Sequence, residues 1–168
     1  MKITEYKATK FKELNLVSEE LDANKEELAT RLASTIYNEA PISEGLLERR
    51  VIQSMGMKKI GRLIQELLDG FLPTLKFKHT TYKGVRFYWR DEDDPSSCEL
   101  IRKTGDGNNR RDAKDVPIEE AMNAIRYAQD YMSGEDEVIR EAARIMGYTR
   151  LGSVVLPLFL DAYNKVNK

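Results

Sequence analysis

One histidine and one cysteine, His79 and Cys98, are present in the chain, and neither has the neighbours that catalysis needs. A Ser-His-Asp relay or a Cys-His pair would have to use His79, which sits in a basic run with no cysteine or carboxylate motif beside it. No phosphate-binding P-loop, dinucleotide glycine fingerprint or zinc-binding helix motif occurs. The cluster Gly105-Asp106-Gly107-Asn108-Asn109 shares composition with a calcium loop, but lacks the spaced oxygen ligands ending in glutamate. Glu119 and Glu120 follow Pro117, where first-turn charge favours a helix start, and are read as that rather than as an acid–base pair. The expectation is a non-catalytic chain with no metal and no cofactor. The remaining chemistry is cationic. Lys58, Lys59, Arg62, Lys76, Lys78, Lys83, Arg86 and Arg90 could contact the phosphates of a nucleic acid.

The net charge of −1 is unevenly spread. Residues 1–40 carry −2, residues 41–90 carry +6 and residues 91–168 carry −5. Local field steers a polyanion more than whole-chain charge does. Neutralising six phosphates would give a slope of log affinity against log salt of roughly −5.

The elements that must hold these cations read as three helices and a hairpin. Asn24 can cap a first helix, with Glu27 completing a capping-box pattern and Leu28, Leu32 and Ile36 forming its apolar face. Pro41 closes it. A second helix starts at the Ser43 cap, carries Leu46, Leu47, Ile52 and Met55, and ends at Gly56, which accepts a left-handed backbone. A third turns Ile60, Leu63, Ile64, Leu67, Leu68 and Phe71 inward and Lys58, Lys59, Arg62, Gln65 and Glu66 outward. Leu75 and Phe77 then alternate with Lys76 and Lys78, and Val85, Phe87 and Trp89 alternate with Arg86, Tyr88 and Arg90, around a turn at Gly84. Two readings of this basic hairpin stay open: a solvated outer face or a phosphate-contacting wing.

The fold class expected is mainly α with a small β-hairpin, built as tandem winged-helix-like (helix-turn-helix) repeats. Met55-Gly56-Met57-Lys58-Lys59-Ile60-Gly61 aligns with Met146-Gly147-Tyr148-Thr149-Arg150-Leu151-Gly152. The organisation expected is a lead-in over 1–23, a winged-helix-like unit over 24–90, a loop or linker over 91–116 with a short strand near Leu100 and Ile101, and a second unit over 117–168 lacking a wing. The uncharged run Val154–Leu160, with Pro157 kinking its helix or starting it late, is expected to be buried, or to form a dimer contact.

No run approaches the roughly 18–20 apolar residues of a membrane span, and the N-terminus lacks a secretory pattern, so a cytoplasmic location is expected. The blocks APISEGLLERRVIQSMGMKKIGRLI, VPIEEAMNAI and VIREAARIMGYTRLGSVV, in that order, resemble an uncharacterised domain family. That family stands at the C-terminal end of large bacterial superfamily-I helicase-like proteins, often with a very-short-patch-repair-like nuclease segment. The resemblance runs from about Leu28 to the C-terminus and implies an accessory role in DNA processing. Family members tend to have a basic residue after the second glycine of both copies; Arg62 matches and Ser153 does not. The partners implied are DNA, the helicase-like parent protein, or a second copy. The alternative function is a protein-interaction or dimerisation scaffold without nucleic-acid contact.

Overall fold

Apolar residues at helical spacing, and β-branched or aromatic residues at strand spacing, sort the chain into six helices and five short strands in the computed structural model, which describes residues 1–168. In order these are β1 (Lys2–Glu5), α1 (Lys25–Glu39), β2 (Ile42–Ser43), α2 (Glu44–Ser54), α3 (Arg62–Phe71), β3 (His79–Tyr82), β4 (Val85–Tyr88), β5 (Leu100–Lys103), α4 (Ile118–Gln129), α5 (Glu135–Ile145) and α6 (Val155–Val166). The protein is thus mainly helical with two small sheets. No helix is long and apolar enough to cross a membrane. Residues Ala8–Glu92 form one unit; Met1–Lys7 and Asp93–Lys168 form another.

In the first unit, Leu28, Leu32 and Ile36 of α1, Leu47, Val51 and Ile52 of α2, and Ile64 and Leu68 of α3 are buried. Each such side chain contributes about 1.5–3 kcal/mol of transfer free energy. The strand order is β2-β4-β3, antiparallel throughout, with Ile42 opposite Tyr88 and Tyr82 opposite Val85. The hairpin turn is Lys83-Gly84, with φ of 47° and 79°. Two left-handed residues match the twist of a two-residue hairpin. Ser43 caps α2 by accepting from the Leu46 N–H at 3.2 Å. Gly56 ends that helix with φ of 103°. An added Cβ there would lie 2.5 Å from the Leu14 carbonyl oxygen, because residues 14–16 run directly over the turn. The Leu14 and Leu16 N–H groups donate to the Ser54 and Met55 carbonyls at 3.1 and 2.9 Å. Arg31 fastens the same segment: Nη1 donates to Ser54 O and Nη2 to Lys12 O, and the guanidinium stacks over Phe11. Buried Glu39 takes Arg50 and the Thr9 N–H and hydroxyl.

In the second unit, α4 packs on α5 and α6 through Ala121, Ala124 and Ala128, small residues that let helix axes approach. β1 pairs in parallel with β5, Lys2 opposite Leu100. Beside them a charged core is closed. Fully buried Glu120 accepts from Arg111 Nη1 and Nη2 at 2.8 Å each and from Arg102 Nε at 3.0 Å. Both guanidiniums stack on the ring of Tyr6. The Tyr148 hydroxyl donates to the Arg111 carbonyl at 2.6 Å.

Several boundaries differ from the sequence expectations. The 1–23 segment is divided between the units, since Lys2–Glu5 is a strand of the second unit and residues 8–16 brace the first. Residues 91–116 are no plain linker: they hold β5 and the buried Arg102 and Arg111, with the expected strand at Leu100–Ile101 extended to Lys103. Asn24 does not cap α1; its amide donates to the Glu20 carbonyl, and Glu27 pairs with Arg31 instead. Leu75–Lys78 are not strand. Leu72–Leu75 is a 3-10 turn started by Pro73, and Lys76 follows it with φ of 54°. Glu120 is a buried ion partner rather than a helix-start charge, because α4 turns it inward onto two arginines. Val154–Leu160 is only half buried: Leu158 and Phe159 face the core, while Val154 is 53%, Leu156 40% and Leu160 36% exposed. Pro157 falls at the third residue of α6, whose amide needs no helical partner, so the helix starts late.

Candidate nucleic-acid interface

The eight cations separate into three groups. Lys58 and Lys59 are exposed in the turn before α3 and form no ion pair; Arg62 follows as the first residue of α3. Arg62 Nε reaches Glu66 at 2.9 Å across one helical turn, with both side chains largely in solvent. A pair of that kind is worth only about 0.3–0.5 kcal/mol, so a phosphate can compete for Arg62. Lys83 and Arg86 are exposed at the end of the hairpin. The Lys83 ammonium lies 5.4 Å from the Tyr82 ring centre, and Arg86 Nη1 lies 3.7 Å from Glu44. Lys76, Lys78 and Arg90 stand at the hairpin base. Lys76 is exposed, Lys78 and Arg90 are half-buried, and Arg90 approaches Glu92 at 4.0 Å.

The hairpin is covered on both faces at its base: Phe87 and Trp89 are buried on one side and Tyr88 on the other, and Trp89 Nε1 donates to the Thr80 hydroxyl at 2.9 Å. The Tyr88 hydroxyl donates to Glu44, and burial together with that carboxylate raises its pKa. His79 lies on β3, exposed, with Nδ1 3.3 Å from the Phe77 carbonyl oxygen.

The helix–turn segment repeats in backbone detail. α2 and α5 both end on a buried methionine followed by a left-handed glycine, Gly56 at 103° and Gly147 at 90°. In each unit an extended segment crosses that glycine: the Leu16 N–H reaches Met55 O at 2.9 Å, and the Thr104 N–H reaches Met146 O at 3.0 Å. No family model, curated protein or solved structure matches the chain.

Between α2 and the start of α3 lies an open groove of about 490 Å³, lined by Arg49, Lys58, Lys59, Ile60 and Gln65, with Glu48 at its wall. Sequence reasoning did not single out Glu48. The residue is 4% exposed, and its carboxylate takes one hydrogen bond, from Gln65 Nε2 at 3.1 Å. Burial pushes its pKa up to about 7, against the lowering effect of that bond. A glutamate following two leucines on an amphipathic helix was the one available signal, since it falls on the apolar side. The exposed face of α3 is mixed in charge: Arg62 stands with Glu66 and Asp69. The whole first unit has 14 basic and 13 acidic residues, so its positive field is local to the turn and hairpin.

Proposed function

We propose that Ala8–Glu92 is a winged helix that binds duplex DNA as a non-catalytic accessory module. The reading rests on one observation. The order α1-β2-α2-α3-β3-β4, with sheet order β2-β4-β3, supports a winged-helix reading, and exposed lysines lie just before α3 and at the hairpin tip. Lys58, Lys59 and Arg62 contact phosphate from the turn, with Lys83 and Arg86 contacting it from the wing. The second unit is a wingless copy of the same helix-turn-helix, and Ser153 replaces the cation at its helix start. The sequence resemblance supports a setting within a helicase-like DNA-processing protein.

Fluorescence anisotropy of a labelled duplex across a salt series tests the proposal. Lys58, Lys59, Arg62, Lys83 and Arg86 are all exposed. Five neutralised phosphates give a slope of roughly −4.5. The double variant K58A/K59A should reduce the slope by about 2. A slope near zero, or no binding at tens of micromolar protein in low salt, rejects DNA binding.

The α6 surface favours a second reading, docking of a protein partner or a second copy. Leu156 and Leu160 expose apolar surface one turn apart on α6, and Val154 exposes more just before it. Sedimentation should then show self-association that L156D abolishes while leaving the circular dichroism spectrum unchanged.

A further inference from the structure

We propose that Glu48 couples proton uptake to polyanion binding in the groove between α2 and α3, so that binding strengthens as pH falls from 8 to 6. The inference rests on the DNA-binding reading and deepens it.

The geometry is unusual within the first unit. Glu39, the other buried glutamate of this unit, faces Arg50 and the Thr9 donors. Glu48 has no cation bonded to it, only the Gln65 amide, whose nitrogen also donates to Asp69 at 2.8 Å. The charged groups around it are known from each packed element. On α2, Glu44 raises the cost of its ionisation and Arg49 lowers it; on α3, Asp69 raises it. The turn supplies Lys58 and Lys59 across the groove. β4 supplies Arg86 and Tyr88, both directed at Glu44. α1 supplies no free charge toward it from its buried side, since Arg31 and Glu39 are engaged elsewhere.

An anion held by Lys58 and Lys59 therefore approaches a carboxylate whose only bonded partner is a neutral amide and whose charge Arg49 offsets only in part. Like charges in a partly dry groove disfavour each other, and protonating Glu48 removes the repulsion. Protonated Glu48 keeps its place, because its carbonyl oxygen still accepts from Gln65. Its elevated pKa places this change in the neutral range. By linkage, a ligand that prefers the protonated form raises the pKa further and takes up a proton on binding.

The experiment measures affinity of the intact chain for a labelled duplex at pH 6, 7 and 8 and constant salt, for wild type, E48Q and H79A. Wild type should bind about three- to tenfold tighter at pH 6 than at pH 8, from one removed charge at groove distance. E48Q should bind at every pH as wild type does at pH 6. H79A should retain the pH dependence; if it abolishes it, the exposed histidine is the titrating group and the proposal is overturned. Equal wild-type affinity at pH 6 and 8 overturns the proton coupling and leaves DNA binding standing. Absence of binding at all pH values overturns both. Carbon-13 NMR titration of the Glu48 carboxyl gives a readout independent of E48Q folding: its midpoint should lie near 7 and rise when duplex is added. A midpoint unmoved by bound duplex also overturns the coupling.

Discussion

Replacing Glu120 by glutamine isolates the strongest electrostatic feature of the structure. Glu120 has no exposed surface and is bonded by two guanidiniums. Burial alone would raise its pKa, but Arg102 and Arg111 outweigh burial and hold it at about 2. The ordinary value is 4.5. The folded pKa is depressed, so the stabilisation is complete above pH 4.5 and is lost as pH falls toward 2. A shift of this size corresponds to about 3 kcal/mol. Direct deletion of one partner of a buried pair costs about 3–5 kcal/mol, because the abandoned cations stay in a dry site. The two routes agree. Against a total stability of about 5–15 kcal/mol, E120Q should bring the second unit close to unfolding. The assay is urea denaturation followed by two probes. Far-UV circular dichroism reports helices of both units, whereas Trp89, the chain's single tryptophan, lies in Ala8–Glu92. E120Q should lower the dichroism midpoint by about 1–3 M urea for an m-value of about 1–3 kcal/mol/M. The variant should also lose the wild-type decline in stability between pH 4.5 and 2. An E120Q midpoint within 0.2 M of wild type at pH 7, as order-of-magnitude agreement, would refute the account of this cluster.

The other perturbations act on backbone and groove. G56A should cost more than about 2 kcal/mol, from the left-handed backbone plus a clash with the Leu14 carbonyl, measured as a loss of denaturation midpoint. G84A should cost only about 1 kcal/mol, because the space beside that glycine is open and only the backbone conformation opposes the change. G147A should fall between them, since its added Cβ meets the movable Thr104 methyl at 2.9 Å. Glu48 is raised in the folded state, so its ionisation weakens the fold as pH rises from 4.5 through about 7. E48Q should therefore be more stable than wild type at pH 8 by about 1 kcal/mol after solvent screening at the groove mouth, and no more stable at pH 4.

Much of the fold was legible because it depends on local patterns. The Ser43 cap follows from one hydroxyl, the hairpin turn from a glycine that tolerates left-handed φ, and the third helix from apolar spacing, although it begins at Arg62 rather than near Lys58 and leaves Leu63, expected inward, 55% exposed because only Ile64 and Leu68 are fully covered. The repeated Met-Gly motif marked two equivalent helix ends, because a left-handed residue is needed wherever a chain segment crosses a helix terminus that closely. For the candidate cations the sequence indicated exposure but not placement: Lys58 and Lys59, expected on the outer face of the third helix, stand in the turn before it, because α3 begins only at Arg62. Lys83 is exposed at the hairpin tip, a position that local chemistry assigns.

What the linear pattern could not carry was the partner of each buried charge. Glu120 looked like a first-turn carboxylate, and Arg102 and Arg111 like loop residues. Their pairing depends on β1 and β5 meeting across most of the chain and bringing Tyr6 under both guanidiniums. Likewise Glu48 differs from Glu39 only in what surrounds it: one has a cation and the other has an amide. The half-exposed α6 face shows the same limit, since seven uncharged residues do not say how many of them a neighbour covers. Periodicity, caps and turns are properties of residues a few positions apart, and the sequence by itself determined them. Desolvation and ion pairing depend on which distant segments exclude water from a group, and only the tertiary structure decided those.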